Sequence, residues 1–471
     1  MKFLFLSIIG IVFLGILFSK GYKKLYWILF GIVFLDNGII IYNYLAPIVR
    51  VWVLGLFLSI LWDLYKTKSR SSAISVLDSK YTKIIFLFSI SILILCLMDE
   101  RHSLIKNGIR AFTYMCDYFL ILLLSSYFIK NTNEVIKLSK FFYYLMFGCA
   151  LYSIYVLFSL HNPYSLLISK VYNVNDISGH FINRTRVAIS SVITHPHKNG
   201  AFIAIAILIR FFFWVNKKNK WHFNLFQIFI LVIMIISQLI SNSRSVGWGM
   251  ILGFVIFISL YKFKIKQKVV FFIVAICYLL LLNFATKLNL RYISEHFISK
   301  YYIIKSDNKN SDVDNFKLDN KTYENSGSTI SMRTMQLKKS YELMKSDVWK
   351  GNGYRWLSEN LGFDPLRNDF ILEGGYYGFE SFFYIVLIEF GIIGIIAYTL
   401  LFTAILVYNY NFIKYKNQAS FFGICNISIF SYFFLIIILN GDPGIFTITT
   451  LFLSIYTKGA TLSLQKINHL K

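Results

Sequence analysis

Residues 223–261 read FNLFQIFILVIMIISQLISNSRSVGWGMILGFVIFISLY. Two apolar runs, Phe223 to Ile240 and Val246 to Tyr261, are separated only by Ser241-Asn242-Ser243-Arg244-Ser245. Each run is close to the length that carries an α-helix across a hydrocarbon core of about 30 Å. So short a polar turn forces the chain straight back, which makes the stretch a membrane helical hairpin. The alternation of apolar and polar residues that marks a membrane β-strand is absent from it.

The same pattern extends outward in both directions. Further apolar runs cover Phe3 to Phe18, Leu25 to Tyr44, Ile48 to Tyr65, Ile84 to Met98, Ile109 to Ile129, Phe141 to Leu160 and Ala201 to Val215. Others cover Val269 to Phe284, Ser381 to Tyr408, Ser420 to Leu439 and Ile445 to Tyr456. A lipid-exposed backbone has to satisfy its own hydrogen bonds, so these runs are helices. At 56% hydrophobic and 18% aromatic residues, with a mean hydropathy of +0.59, the chain is not a soluble globular protein. The fold class is all-α: a polytopic membrane bundle of about 12–13 transmembrane helices. The first run has no small-residue cleavage site and leads into Lys20, Lys23 and Lys24, so it reads as a helix and not a signal peptide. Cys96, Cys116, Cys149, Cys277 and Cys425 all lie in apolar runs without CxxC spacing and read as packing residues.

One polar excursion interrupts this pattern. Residues 287–380 hold 13 of the 23 acidic residues and 14 of the 48 basic ones, so they form a nearly neutral, water-facing segment. The chain divides accordingly into transmembrane helices at 1–286, a large loop at 287–380, and C-terminal helices with a tail at 381–471. Inside the loop, Ile330, Thr334, Leu337, Tyr341, Met344 and Val348 recur at spacings of four and three. They predict an amphipathic helix of about five turns from Ser328 or Thr329, with Arg333 in its first turn.

Charge sets the orientation. Lys20 to Lys24, Lys66 to Lys83, Lys130 to Lys140, Lys217 to Lys220, Lys262 to Lys268 and Lys414/Lys416 occupy alternate connections and carry 20 bases. The short connections between them carry only Arg50, Arg101, Lys106 and Arg244. The positive-inside rule then puts the 287–380 loop outside the cytoplasm. The net charge of +25 is explained by these connections; no basic, aromatic surface module remains for nucleic acid.

Several polar residues stand at span ends. Arg244 suits a phosphate, because its planar fork can bind two oxygens, although an arginine snorkelling to lipid headgroups would look the same. Arg333 near a helix start fits an anion site. Arg184, Arg186, His195, His197, Lys198 and Asn199 crowd before the Ala201 span, and the break at His195-Pro196-His197 reads as a polar turn, a substrate contact or, less readily, a metal site. No Asp, Glu or Cys at ligand spacing accompanies the histidines. Asp36, Arg50, Asp63, Arg110, Asp117, Arg210 and Glu389 lie in or beside spans and should face the bundle interior. Arg110 and Asp117, seven residues apart and so on one helix face, read as a structural ion pair or as interface anchors. Trp349-Lys350-Gly351-Asn352-Gly353-Tyr354 reads as a tight turn and not as a nucleotide loop.

In their order, Ser243-Arg244, Arg333, Trp349 with Gly351-Asn352-Gly353, Glu380-Ser381 and Glu389-Phe390-Gly391-Ile392-Ile393-Gly394 resemble the O-antigen ligase and polymerase superfamily of bacterial membrane glycosyltransferases. His195-Pro196 before Asn199-Gly200 also fits that pattern, and the resemblance spans roughly residues 180 to 400. It implies an enzyme of the cytoplasmic (inner) membrane, with its active site on the periplasmic or outer side, that takes an undecaprenyl-pyrophosphate-linked glycan and needs neither nucleotide sugar, cofactor nor metal. Ligases of this kind carry a histidine nine residues before the glutamate of E-x-G-x-x-G, whereas here Glu380 holds that place. The resemblance thus favours a polymerase over a ligase, with a chain-length regulator as a further partner that the polymerase branch admits.

On this reading Glu380 takes a proton from the acceptor hydroxyl, and Arg244 and Arg333 bind the pyrophosphate. Arg184, Arg186, His195, His197, Asn199 and Arg110 are candidate substrate contacts. Glu380 could instead cap the following helix. A flippase for lipid-linked sugars is the rival from another class; the folded external loop and the lack of internal duplication count against it.

Overall fold

The computed structural model describes residues 2–35, 40–42, 45–67, 80–172, 188–193, 195–216, 224–287, 329–344, 347–361, 371–372, 376–377, 381–415, 417–439 and 443–468. Arg184, Arg186 and Glu380 lie outside these residues.

The first helices are α1 (Lys2–Phe18), α2 (Lys23–Phe34), α3 (Ile48–Thr67), α4 (Lys80–Leu97), α5 (Leu104–Tyr118), α6 (Leu120–Tyr127), α7 (Thr132–Ser159) and α8 (Pro163–Tyr172). They continue with α9 (Pro196–Val215), α10 (Leu225–Ile240), α11 (Arg244–Leu260), α12 (Ile265–Lys287), α13 (Thr329–Met344), α14 (Trp356–Leu361), α15 (Phe382–Ile413), α16 (Gln418–Leu439) and α17 (Pro443–Asn468). Two minimal antiparallel hairpins complete the described residues, β1 (Ile40–Tyr42) with β2 (Leu45–Pro47) and β3 (Ile371–Leu372) with β4 (Tyr376–Tyr377).

The chain is an all-α, multi-pass membrane protein. Helices α3, α7, α9, α12, α15, α16 and α17 are long and apolar enough to cross a membrane, while α1, α4, α10 and α11 contain shorter apolar stretches. The run expected from Ile109 to Ile129 is split, with α5 and α6 meeting at 58°. The bend falls beside Asp117, which Arg50 of α3 holds from across the bundle.

The run expected from Leu25 to Tyr44 is also corrected. Helix α2 ends at Phe34, and Ile40–Tyr42 pairs with Leu45–Pro47, with Ile40 opposite Pro47. Asp36-Asn37-Gly38 follows the helix, and such residues favour turns over helix continuation.

A larger correction concerns Ser381 to Tyr408, expected as one straight span. Gly391 has φ 61° and ψ −158°, outside the helical region. Sixteen residues of straight helix would separate Phe382 from Tyr398 by about 24 Å. Their rings instead lie 5.1 Å apart, and Phe383 reaches Phe402 at 6.4 Å. Helix α15 therefore folds back at Gly391 into a short arm, residues 382–390, and a long arm running to Ile413. Ser381, at the free end of the short arm, is buried, and Phe382 packs on Phe446 of α17 at 4.7 Å.

The core is built on α9, α16 and α17, which are buried along most of their length. Small residues set the closest crossing. A Cβ on Gly253 of α11 would stand 2.9 Å from the Ser428 carbonyl of α16, and one on Gly249 would stand 3.1 Å from the Tyr432 carbonyl. A buried amide adds polar glue: Asn426 donates to Asn409 Oδ1 at 2.7 Å and to Thr457 Oγ1 at 2.6 Å, joining α15, α16 and α17. Helix α12 lies at the periphery, with Val269, Ile273, Ile276 and Leu280 turned outward, as a lipid-facing helix should have. Four of the five cysteines are buried packing residues, while Cys277 on α12 is exposed.

Candidate functional site

The start of α9 meets the turn between α10 and α11. Pro196 opens α9, where its missing N–H is not needed. Before it, residues 188–193 run irregularly through the interior, with Ile189 N–H donating to the Ile240 carbonyl at 3.0 Å. Buried irregular backbone needs side-chain partners, and Asn162 supplies them by donating to Ser190 Oγ at 3.0 Å and the Ser191 carbonyl at 2.9 Å. Asn199 accepts from Ser191 Oγ at 2.6 Å and donates to Ser153 Oγ at 3.0 Å. Its amide pins the irregular stretch in place.

His197 joins the two motifs. Its Nδ1 lies 2.5 Å from Ser243 Oγ, both residues being buried, and Ser243 is the residue on which α11 begins. A Cβ on Gly200 would collide with Ser241, so α9 and the turn approach as closely as glycine allows. Arg244 is the first residue of α11 and is exposed. It thus stands at a helix start, where free N–H groups and a guanidinium together suit an anion. Arg333 is the fifth residue of α13, opening the second turn and not the first.

A second cluster forms where α15 folds back. The broken helix leaves backbone groups open, and residues 348–353 complete them. Ile392 N–H donates to the Val348 carbonyl at 3.1 Å, and Ile393 N–H to the Trp349 carbonyl at 3.1 Å. In the other direction, Asn352 N–H donates to the Ile388 carbonyl at 2.9 Å and Gly353 N–H to the Glu389 carbonyl at 2.8 Å. Gly351 has φ 68° and Gly353 has φ 90°, conformations that favour glycine. The Gly351-Asn352-Gly353 turn is therefore a clamp on a membrane helix. Asn352 Nδ2 also donates to the Leu343 carbonyl at 2.8 Å, which ties the end of α13 to the same point.

Glu389, in the last turn of the short arm, is buried. Its carboxylate accepts from the backbone N–H groups of Arg355 and Leu357, at the start of α14. Leu357 packs with Ile385 and Ile388, and Leu343, Trp356 and Tyr384 close over them. The polar segment is thus docked on the short arm by main chain, carboxylate and apolar contact together.

Ion pairs bind this cluster to the α4–α5 connection. Arg110 lies 3.1 Å from Asp99 and 2.5 Å from Glu359, Arg101 lies 2.7 Å from Asp99, and Lys350 lies 3.1 Å from Glu100. Burial pushes the Asp99 carboxyl up, but the Arg101 hydrogen bonds and the Arg101 and Arg110 charges outweigh this and hold it below the usual carboxylate range. The Glu100 hydrogen bond raises the Lys350 ammonium above its ordinary value. The expected pair of Arg110 with Asp117 does not form. Asp117 takes both fork nitrogens of Arg50, at 2.6 and 2.7 Å, because its end of α5 faces α3 while Arg110 faces the polar segment.

The structure gathers five of the expected site residues in two groups. His195, His197 and Asn199 lie around the turn that carries Arg244, and Arg110 lies in the charged cluster at the clamp. Asp99, Glu359 and the carboxylate use of Glu389 were missed by the sequence reading. The available signal was the scarcity of acids in so basic a chain, which makes each acid beside an arginine a probable partner for it. Among the described residues no group of three or more His, Cys, Asp or Glu side chains is placed to hold a metal.

A multi-pass helical protein with a folded-back arm, an arginine at a helix start and a docked polar segment has the elements from which a site for an anionic ligand can be built. Residues 229–399 match the family model described as O-Antigen ligase, so this part of the chain is similar to the O-antigen polymerase and ligase superfamily, and the match does not separate the two branches. The match supports a glycosyltransferase-like enzyme acting on a lipid-linked glycan; it carries nothing on a chain-length regulator. Among curated proteins, none matches the chain.

Proposed function

We propose that the protein is a polysaccharide polymerase that joins undecaprenyl-pyrophosphate-linked repeat units, of O-antigen or capsule, on the outer face of the cytoplasmic membrane. The observation that carries the polymerase reading is Glu380, directly before the buried Ser381, where the ligase pattern has histidine. A carboxylate there can take the proton of the acceptor hydroxyl as it attacks the anomeric carbon. Arg244 and Arg333 then stabilise the negative charge gathering on the departing pyrophosphate, each worth several kcal/mol in a desolvated site. No metal or nucleotide sugar enters this scheme. The second reading, a ligase, is favoured by the description of the matching family itself.

Purified protein in detergent, given only lipid-linked repeats and a chelator of divalent metals, is expected to make a ladder of products. Glu380→Gln should abolish the ladder at unchanged yield of folded protein. Arg244→Lys and Arg333→Lys should lose most activity, because lysine keeps the charge and loses the two-pronged donor. A full ladder from Glu380→Gln would give the proton to another group. No ladder from well-folded wild-type protein would transfer the assignment to the ligase.

A further inference from the structure

His197 stands one residue behind Arg244, and that proximity invites a shared role in touching the substrate. Their surroundings divide the work. Arg244 is exposed, whereas His197 is buried with its Nδ1 2.5 Å from Ser243 Oγ. Arg50, Arg101 and Arg110 are taken by carboxylates, while among the described residues no carboxylate pairs with Arg244. The arginine is the group that can meet an anion.

Ser243 shows what the histidine does. A serine at an N-cap ordinarily accepts a hydrogen bond from the first turn of its own helix. Ser103 of α5 accepts in this way from Lys106 N–H, and Asn224 of α10 from Gln227 N–H. Ser243 does not: its carbonyl accepts from Gly247 N–H at 3.2 Å, but its hydroxyl makes no capping bond. The hydroxyl is turned instead to His197 of α9, with Ser245 Oγ 3.4 Å away. Helix α9 grips the other side of the turn as well, because Gly200 lies against Ser241. Between the two grips Asn242 is left-handed, at φ 52°. The start of α9 is itself tied to α7 by the bond from Asn199 to Ser153. The first residue of α11 is therefore aimed by a neighbouring helix, and that residue is Arg244.

We infer that His197 is a positioning residue for Arg244: it holds Ser243 on α9 and so fixes the start of α11, from which the Arg244 guanidinium reaches the pyrophosphate. This rests on the proposed role of Arg244 as a pyrophosphate ligand. It takes His197 out of the substrate contacts expected from the sequence and gives Ser243 a part in the site. A two-pronged donor gains most from such aiming, because both nitrogens have to meet phosphate oxygens at once.

The test measures binding of undecaprenyl pyrophosphate to the full-length protein in detergent, beside the ladder assay. His197→Leu and Ser243→Ala are each expected to weaken binding by about 10-fold, and the double variant by no more than either, because both remove the same bond. His197→Asn sets an amide near the place of Nδ1, can donate to Ser243 or accept from it, and should stay within a few-fold of wild type. In an Arg244→Lys background, already weakened, Ser243→Ala should change little, since the group it aims is gone. Ser243→Ala removes one oxygen and serves where the leucine variant does not fold. Tight binding by Ser243→Ala beside weak binding by His197→Leu would overturn the inference, and so would losses that multiply in the double variant. If wild-type protein does not bind this lipid, or Arg244→Lys binds it as tightly, the reading of Arg244 fails and the inference falls with it. A missing ladder with binding intact refutes the polymerase alone, and the binding series still decides the role of His197.

Discussion

Gly351→Ala tests the clamp through stability alone. A Cβ at this position would lie 2.5 Å from Gly391 N, 2.8 Å from Glu389 C and 2.8 Å from Phe390 N, all main-chain atoms that no side-chain rotation can move aside. The residue also sits at φ 68°, where an L side chain costs about 1–2 kcal/mol. Relief requires residues 351–353 to lift away, breaking the Asn352 to Ile388 and Gly353 to Glu389 hydrogen bonds at about 1 kcal/mol each. The sum is roughly 3–4 kcal/mol. Gly148 of α7 is the control: nothing lies within 4 Å of its Cβ position, so alanine there should gain up to about 1 kcal/mol of helix propensity. Equilibrium unfolding in mixed micelles, read by tryptophan fluorescence, measures both. A Gly351→Ala protein within about 0.5 kcal/mol of wild type would show that the turn is not clamped on the broken helix.

Other outcomes follow from the same geometry. Arg50→Met should destabilise by about 3 kcal/mol or more, because the buried Asp117 loses both donors, and adding Asp117→Asn should restore much of it; a smaller loss in the single variant than in the double would contradict the pairing. Asp99 is held below its unfolded value of about 3.9, so its stabilising share is full above that pH and is lost as pH falls through the lower folded value. Lys350 is raised, so its share is full below about pH 10.4 and is lost above it. Tryptic resistance of residues 347–361 should therefore not change through Asp99 or Lys350 between pH 5 and 9, and a steep loss across that window would point to a group other than these two. In a Cys277→Ser background, Lys339→Cys should react with an impermeant thiol reagent from outside while Lys264→Cys should not; the reverse would invert the membrane orientation.

The span pattern was legible because long apolar runs bounded by lysines leave few alternatives in a bilayer. Where it misled, local chemistry had overruled hydropathy. The helix in the run to Tyr44 ends early, at Phe34, and the run from Ser381 is apolar on both sides of Gly391, so no hydropathy reading can detect that it doubles back. The glycine pattern was visible, but its meaning was not: Gly351, Gly353 and Gly391 come together only once the partner is known, forty residues away in the chain. The loop helix was placed to within a residue of its start, since its period depends on its own sequence alone. The Arg110 pairing was misread for the opposite reason. Spacing on one helix reports which residues share a face and says nothing of the acids that neighbouring segments bring to that face.

The clamp has a further consequence for how the protein is made. Helix α15 is incomplete as a membrane segment: alone, its carbonyls at Ile388 and Glu389 and its amides at Ile392 and Ile393 would meet lipid, each at several kcal/mol. The groups that complete it, in residues 348–353, leave the ribosome first, so the pairing can form only once α15 has followed them. Chimaeras between related chains should respect that bond: a crossover within 362–380 would separate a helix from the turn that finishes it, whereas one at the α15–α16 connection would leave the pair intact.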